Sequence, residues 1–305
     1  MASWPALPLR AAYLALHNAS RRNALSLSVL RDLRTQLRAH NTSPVDGKLR
    51  ILPPFQPSLL AQLEAAAHDS ATYTWLVDGA RWRHERHGLP NVIVLRSSGP
   101  VFCAGHDLAE LHALGHDEVK ETFALCAEVM SLIRRSPVPV VCMVQGLATA
   151  AGAQLALTAD VPIALAATLF RLPGASLGLP CTSPSTAVSR RLGAAFTYRM
   201  LALAEAVRAD QMGGAVDVVA GESQDALETR VGEVVSQLAE RTAPQPQGLG
   251  KWAFWTQVGL KGEGGDGYEE AVEWTGRVMA LHARSEDARE GMASFLEKRK
   301  PVWKL

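Results

Sequence analysis

The stretch from Val138 to Ala156, Val-Pro-Val-Val-Cys-Met-Val-Gln-Gly-Leu-Ala-Thr-Ala-Ala-Gly-Ala-Gln-Leu-Ala, allows the chain few folds. Its first part, Val138 to Val144, is apolar and β-branched without alternation, the pattern of a strand buried on both faces. Gly146 breaks the run. Small residues follow, Ala148, Ala150, Ala151 and Gly152, and then a helix-like run to Thr158. A buried strand that turns through small residues into a helix gathers unbonded backbone N–H groups, and the positive end of a helix dipole, at one point. Such a point can hold a negatively charged oxygen. It can equally be no more than a close strand–helix packing turn.

A second stretch upstream repeats the arrangement. Asn91 to Leu95 reads as another buried strand, followed by Arg96-Ser-Ser-Gly-Pro-Val-Phe-Cys-Ala-Gly-His-Asp-Leu108. This is again a strand, a glycine-bearing turn and an acidic residue, Asp107, placed to cap a helix. Backbone donors from two such turns can share one carbonyl oxygen. The run Phe102-Cys-Ala-Gly-His-Asp-Leu108 together with Gln145-Gly-Leu-Ala-Thr-Ala-Ala-Gly152 resembles the enoyl-CoA hydratase/isomerase (crotonase) superfamily. Arg22-Asn-Ala-Leu25 and Arg289-Glu-Gly-Met-Ala-Ser-Phe-Leu-Glu-Lys-Arg-Lys300 look like its N-terminal and C-terminal signatures. The likeness covers nearly the whole chain except about residues 41–90. It implies an α/β crotonase (ClpP-like) fold, a ββα superhelix with a helical C-terminal trimerisation region. Residues 1–200 would form the core, with 41–90 as an atypical insertion, and 201–305 the helical region.

Along the chain, residues 9–18 read as a strand and Ser28 to His40 as a helix, with Val29, Leu30, Leu33 and Leu37 at helical spacing. Pro44, Pro53, Pro54 and Pro57 give the insertion an irregular start. Leu59 to Ala67 reads as a helix and Ala71 to Leu76 as a short element. A loop of this length inside a compact domain is usually functional or mobile. Arg83-His-Glu-Arg-His87 lacks the HExxH zinc spacing and reads as a solvated polar loop. His112 and His116 stand four apart, without a third ligand in view, and read as surface residues. Lys120 to Arg135 is a helix ended by Pro137 and Pro139. Val161 to Ala166 is a further strand. Phe170-Arg-Leu-Pro-Gly-Ala-Ser-Leu-Gly178 should form the next wall of the pocket. From about Ser185 the pattern is mostly helical, with helices over Gln224 to Arg241, Trp252 to Leu260 and Tyr268 to Arg284.

Composition excludes several classes. A formal charge of +1 over 305 residues points to no nucleic acid and no anionic membrane surface, and no apolar run is long enough to span a bilayer. The four cysteines, Cys103, Cys126, Cys142 and Cys181, are scattered, form no CxxC pair and suit a reducing compartment. Met1 to Arg31 contains arginines and no acidic residue, as transit peptides do, but the first strand already occupies this region and leaves no room for a long presequence. The terminal Lys304-Leu305 follows Trp303 rather than the small residue of a peroxisomal address.

The resemblance supplies site expectations. The oxyanion hole for an acyl-CoA thioester would be the backbone N–H groups of His106 and Ala151. The substrate and its CoA would be bound by Arg22, Ala24, Ala104, Gly105, Asp107, Leu108, Gly152, Pro173 and Gly174. Arg21 and Arg22 can serve its phosphates or stand in a solvated turn. Phe295 and Lys298 would reach the CoA of a neighbouring subunit in a homotrimer or a dimer of trimers. No bound cofactor or metal is implied, only the coenzyme A that the substrate carries. The family's hydratases use two glutamates, at positions that here are Gln154 and Gly174. Both carboxylates are therefore absent. Gln154 can still orient a water. His106 is the one group of the two motifs that titrates near neutral pH. Ser20-Arg-Arg-Asn-Ala-Leu-Ser26, Gly146 to Gly152 with Gln154, and Pro173-Gly174 look like the enoyl-CoA hydratase domain-containing protein 3 branch, a mitochondrial group, which implies fatty-acid metabolism. Three functions stay open: a hydratase/isomerase-like enzyme, a decarboxylase of a malonyl-type CoA ester, and an acyl-CoA-binding or regulatory protein without turnover.

Overall fold

The computed structural model describes residues 4–66, 72–221, 223–258, 267–269, 272–273, 276, 280, 283 and 286–301. The first strand, β1 (Ala11–Leu16), leads through a 3-10 turn at Ala19–Arg21 to helix α1 (Leu27–Asn41). The Ser26 hydroxyl caps that helix by accepting from the Val29 N–H, and Leu30, Leu33 and Leu37 form its buried stripe.

The insertion holds α2 (Leu60–Ala66), α3 (Thr74–Val77) and α4 (Gly79–Glu85). The last of these corrects the loop expected over Arg83 to His87. Asp78 caps α4 by accepting from the Arg81 N–H, and Trp82 is buried and stacked on Trp75 at 5.6 Å. His84 and His87 are exposed, as expected, but Arg86 between them is buried and donates to the Pro90 carbonyl at 3.0 Å. A polar sequence with a tryptophan at its centre thus folds as a helix with one buried face.

Strand β2 (Val92–Ser97) follows, buried along its length, and then α5 (Leu108–Ala113) and α6 (His116–Arg134). The break at Leu114–Gly115 puts His112 and His116 on different helices. No group of three or more metal-ligating side chains occurs among the described residues. Next come β3 (Val140–Val144), β4 (Leu147–Thr149), α7 (Ala151–Thr158), β5 (Val161–Leu165), β6 (Leu169–Arg171) and α8 (Gly174–Leu177). They are followed by α9 (Thr182–Leu192), α10 (Ala194–Leu203), β7 (Ala206–Arg208) and β8 (Asp217–Val219). The described chain ends with α11 (Gln224–Glu240), α12 (Pro244–Val258) and α13 (Glu286–Leu296). No described helix is long and apolar enough to cross a membrane. The helix expected over Tyr268 to Arg284 falls largely outside the described residues.

The strands form two sheets. Five run parallel in the order β1-β2-β3-β5-β8, each new strand added on the same edge. Three short strands, β4-β6-β7, form the second sheet. Twice, as β3-β4-α7 and as β5-β6-α8, the chain adds one strand to each sheet and then a helix, so ββα units stack along one direction. Two strands, β7 and β8, lie beyond residue 200, in the part that reads as helical from sequence. Their three-residue length explains the miss, since no period can be read over so short a run. One face of the main sheet packs on α11 through Val92, Val94, Val141, Met143 and Ile163 against Leu227, Val231 and Val235. The other face carries the larger core, which takes in Trp75, Trp82 and Trp252. Loops after β2 and β3 therefore emerge side by side.

Candidate active site

Three turns are zipped together by backbone hydrogen bonds. Phe102 N–H donates to the Gln145 carbonyl (3.0 Å), Cys103 N–H to Leu147 (3.2 Å) and Thr149 N–H to Cys103 (3.1 Å). The third turn joins them as Ala104 N–H donates to Arg22 (3.1 Å), Leu25 N–H to Gly105 (2.7 Å) and Asp107 N–H to Leu25 (3.4 Å). This ladder holds Arg22 and Ala24 beside Ala104, Gly105, Asp107 and Leu108. Asn23 secures the first turn by donating to the carbonyls of Ser98 and Val101, each at 2.8 Å.

The approach is close enough to select small residues. Gly105 has φ +84°, and a Cβ there would lie 3.0 Å from Ala150 Cβ and from the Thr149 carbonyl, and 3.4 Å from the Ala151 nitrogen. A Cβ on Gly152 would lie 2.3 Å from the Cys103 carbonyl oxygen. Ala150 itself sits at φ 50°, an unusual position for a residue with a side chain. It turns the chain sharply into α7, so that Ala151 opens the helix with its N–H outside the helical bonding pattern. The N–H groups of His106 and Ala151 make no hydrogen bond to any described residue. Two such donors on adjoining turns, one at a helix N-terminus, can stabilise an oxygen that gains negative charge.

The side chain of His106 is buried. Its Nδ1 lies 3.4 Å from the Leu25 carbonyl, and its ring meets Phe123 edge-on at 4.9 Å. A carbonyl oxygen only accepts, so Nδ1 carries the proton and Nε2 the lone pair. Burial lowers the pKa to about 4, so the ring is uncharged at neutral pH. This has a measurable consequence for stability. The unfolded chain takes up this proton near pH 6.5 and the folded chain only near pH 4, so the contribution is complete above pH 6.5 and lost as pH falls toward 4. Denaturant unfolding of wild type and His106→Asn, each at pH 7 and pH 5, should show the wild type losing about 2 kcal/mol more than the variant. Equal losses would show that the ring is not shielded. His40, also lowered by burial, is common to both proteins and cancels in the comparison.

Positions 154 and 174 are both closed. Gln154 is fully buried in α7, its amide nitrogen donating to Ser183 Oγ (3.1 Å) and its amide oxygen accepting from the same hydroxyl (3.3 Å). The Gln154 backbone carbonyl accepts from Thr158 Oγ1, which in turn meets the Tyr268 hydroxyl at 2.8 Å. The amide expected to orient a water is thus held by a serine on α9. At the start of α8, capped by Pro173, a Cβ on Gly174 would lie 2.3 Å from the Leu179 carbonyl and 2.5 Å from the Cys181 nitrogen. The backbone itself fills the place of a side chain.

The basic residues of the first turn separate. Arg21 donates to both Asp107 oxygens (2.8 and 2.9 Å), while Asp107 caps α5 by accepting from Ala109 and Glu110 N–H. Arg22 is exposed, with no ion pair among the described residues. Phe295 and Lys298, at and just beyond the end of α13, are exposed, while α13 itself packs on α5 and α8. The Ser183 contact and the Arg21–Asp107 pair carry no sequence signal, since they join residues 29 and 86 apart.

The chain is similar to known proteins in both sequence and fold. The family model for enoyl-CoA hydratase/isomerase matches residues 85–305. The mouse enoyl-CoA hydratase domain-containing protein 3, mitochondrial, is 32% identical over 294 residues, 95% of this chain and 80% of that protein. The zebrafish (Danio rerio) protein of the same name is 37% identical over 216 residues, 70% of this chain and 72% of its own. The crystal structure of human enoyl coenzyme A hydratase domain-containing protein 3 superposes with a TM-score of 0.61 at 28% identity, covering 97% of this chain and 98% of that one.

Proposed function

Because the chain belongs to the enoyl-CoA hydratase/isomerase family and has the crotonase fold, we propose that it binds an acyl-CoA thioester and seats the thioester oxygen on the backbone N–H groups of His106 and Ala151. The observation that carries this reading is the pair of unengaged donors on turns locked together by the Gly105 and Gly152 contacts. A thioester carbonyl becomes an enolate when a proton or CO₂ leaves its α-carbon, or when a nucleophile adds at its β-carbon. The hole lowers the barrier to each of these by about 3–4 kcal/mol per donor. The CoA would lie along Ala24, Ala104 and Leu108. Its phosphates fall to Arg22, since Arg21 is paired with Asp107. Phe295 and Lys298 are exposed and suit contact with a neighbouring subunit of a trimer. The names of the relatives support a mitochondrial location.

A hydratase/isomerase-like reaction is the first reading, and it needs a proton carrier other than the usual glutamates. A specific observation favours decarboxylation as the second. Gln154 is neutral and Gly174 has no side chain, so no carboxylate at either position repels a malonyl-type acyl group. Loss of CO₂ makes the enolate without a base.

The test is to incubate the purified protein with 2-enoyl-, 3-enoyl-, 3-hydroxyacyl- and alkylmalonyl-CoA esters and follow each by mass and chromatography. Gain or loss of water, or a moved double bond, is the expected result for the first reading. Loss of CO₂ from the alkylmalonyl ester alone would establish the second. Binding of the esters with no change in any of them would leave a binding protein and overturn both.

A further inference from the structure

We propose that the His106 imidazole is the general base of this site, taking the α-proton of the bound thioester on Nε2. The proposal rests on the acyl-CoA reading above. Among the described residues, Nε2 has no hydrogen-bond partner. The Leu25 carbonyl holds the Nδ1 proton and so fixes the tautomer that leaves Nε2 bare. The ring belongs to the same residue as one hole donor, so Nε2 lies within one side chain's length of that N–H.

The titratable groups of α5 and α6 nearest the ring among the described residues are engaged elsewhere. Asp107 is held by Arg21 and caps α5, Glu110 accepts from the Leu27 N–H, and on α6 Lys120 pairs with Asp117 while Phe123 lies against the ring. Gln154 is held by Ser183 and Gly174 is closed by backbone. Burial gives the imidazole, at about 4, the basicity of an ordinary glutamate while leaving it uncharged in an apolar shell. It thus supplies what the absent carboxylates would supply, without their charge.

The α-C–H bond breaks and its proton goes to Nε2. The electron pair of that bond forms the Cα=C bond, and the carbonyl π pair moves onto the oxygen between the His106 and Ala151 N–H groups. The Nδ1–H bond to Leu25 steadies the imidazolium that results. Return of the proton to the α-carbon or its delivery to the γ-carbon completes an exchange or an isomerisation.

The probe is butyryl-CoA in D₂O, with α-proton loss followed by ¹H NMR and binding measured by calorimetry. Wild type should exchange the α-protons at a rate flat from pH 8 to about pH 5.5 and falling below that. His106→Asn keeps a donor for Leu25 and should bind butyryl-CoA within threefold while exchanging at least 100-fold more slowly, in the range expected for loss of a placed base. His106→Gln serves as the second variant if the first does not fold. Exchange within tenfold of wild type in either folded variant would overturn the proposal, as would binding without exchange in wild type. Failure of wild type to bind any CoA ester is a different result, and it removes the acyl-CoA reading and this proposal with it.

Discussion

Gly152→Ala is expected to destabilise the protein by more than about 3 kcal/mol and to abolish acyl-CoA binding in whatever fraction still folds. The new methyl would lie 2.3 Å from the Cys103 carbonyl oxygen and 2.8 Å from Cys103 Cβ. Neither can rotate away. The carbonyl accepts from Thr149 N–H, and Cys103 is fully buried between strands. Relief requires the loop after β2 to move off α7, which separates the two N–H donors. Gly232→Ala, on the outer face of α11 where nothing lies within 4 Å, is the control and should be neutral or slightly stabilising. The measurement is the urea midpoint together with butyryl-CoA affinity. A Gly152→Ala protein with wild-type midpoint and affinity would show that the turns are not in contact.

Gln154→Glu has the second large expected effect. It restores the first of the two family glutamates, yet hydratase activity should not appear. The position is fully buried, and its side-chain hydrogen-bond partner among the described residues is the Ser183 hydroxyl, which can donate a single hydrogen bond to the new carboxylate. Desolvation then raises the folded-state pKa above the unfolded value of about 4.3. Between these values the folded chain holds a proton that the unfolded chain has released. Stability therefore falls as pH rises through that window, the opposite sense to His106. The variant should lie within about 1 kcal/mol of wild type at pH 4 and fall about 3 kcal/mol below it at pH 8, of the order set by a buried, singly bonded carboxylate. Urea midpoints at the two pH values read this directly. A flat difference, or hydration of a 2-enoyl-CoA, would show that Gln154 faces water rather than Ser183. The second glutamate cannot be restored in the same backbone, because Leu179 and Cys181 fill the space beside Gly174.

These two cases mark where sequence reading succeeds and stops. The strand at Val140–Val144, the turn through Gly146 and the helix from Ala151 were legible because each is a local pattern: an apolar run, a break, small residues. The pairing of the two glycine turns was legible because both motifs are written out in full. What Gln154 touches was not legible, since Ser183 comes from another helix and nothing in its neighbours announces the contact. The same holds for Arg21, which reads as either a phosphate ligand or part of a solvated turn and is found on Asp107. Helix α4 was missed for a different reason. Arg83-His-Glu-Arg-His87 is polar at all five positions, and the apolar residue that organises it, Trp82, stands just outside the run.

The insertion was expected to be functional or mobile, and its packing gives it another role, in the order of assembly. Trp252 Nε1 donates to the Pro54 carbonyl and Gln245 Nε2 to the Leu76 carbonyl, across separations of 198 and 169 residues. A Cβ on Gly248 would lie 2.8 Å from the Trp82 ring, so α12 rests directly on the insertion. During synthesis the first ninety or so residues leave the ribosome with Trp75 and Trp82 still waiting for a helix that begins at Pro244. At about 5–20 residues per second, that interval lasts on the order of ten seconds or more. The tryptophan pair is therefore a late-closing seam, and the nascent chain carries an uncovered aromatic surface through most of its translation.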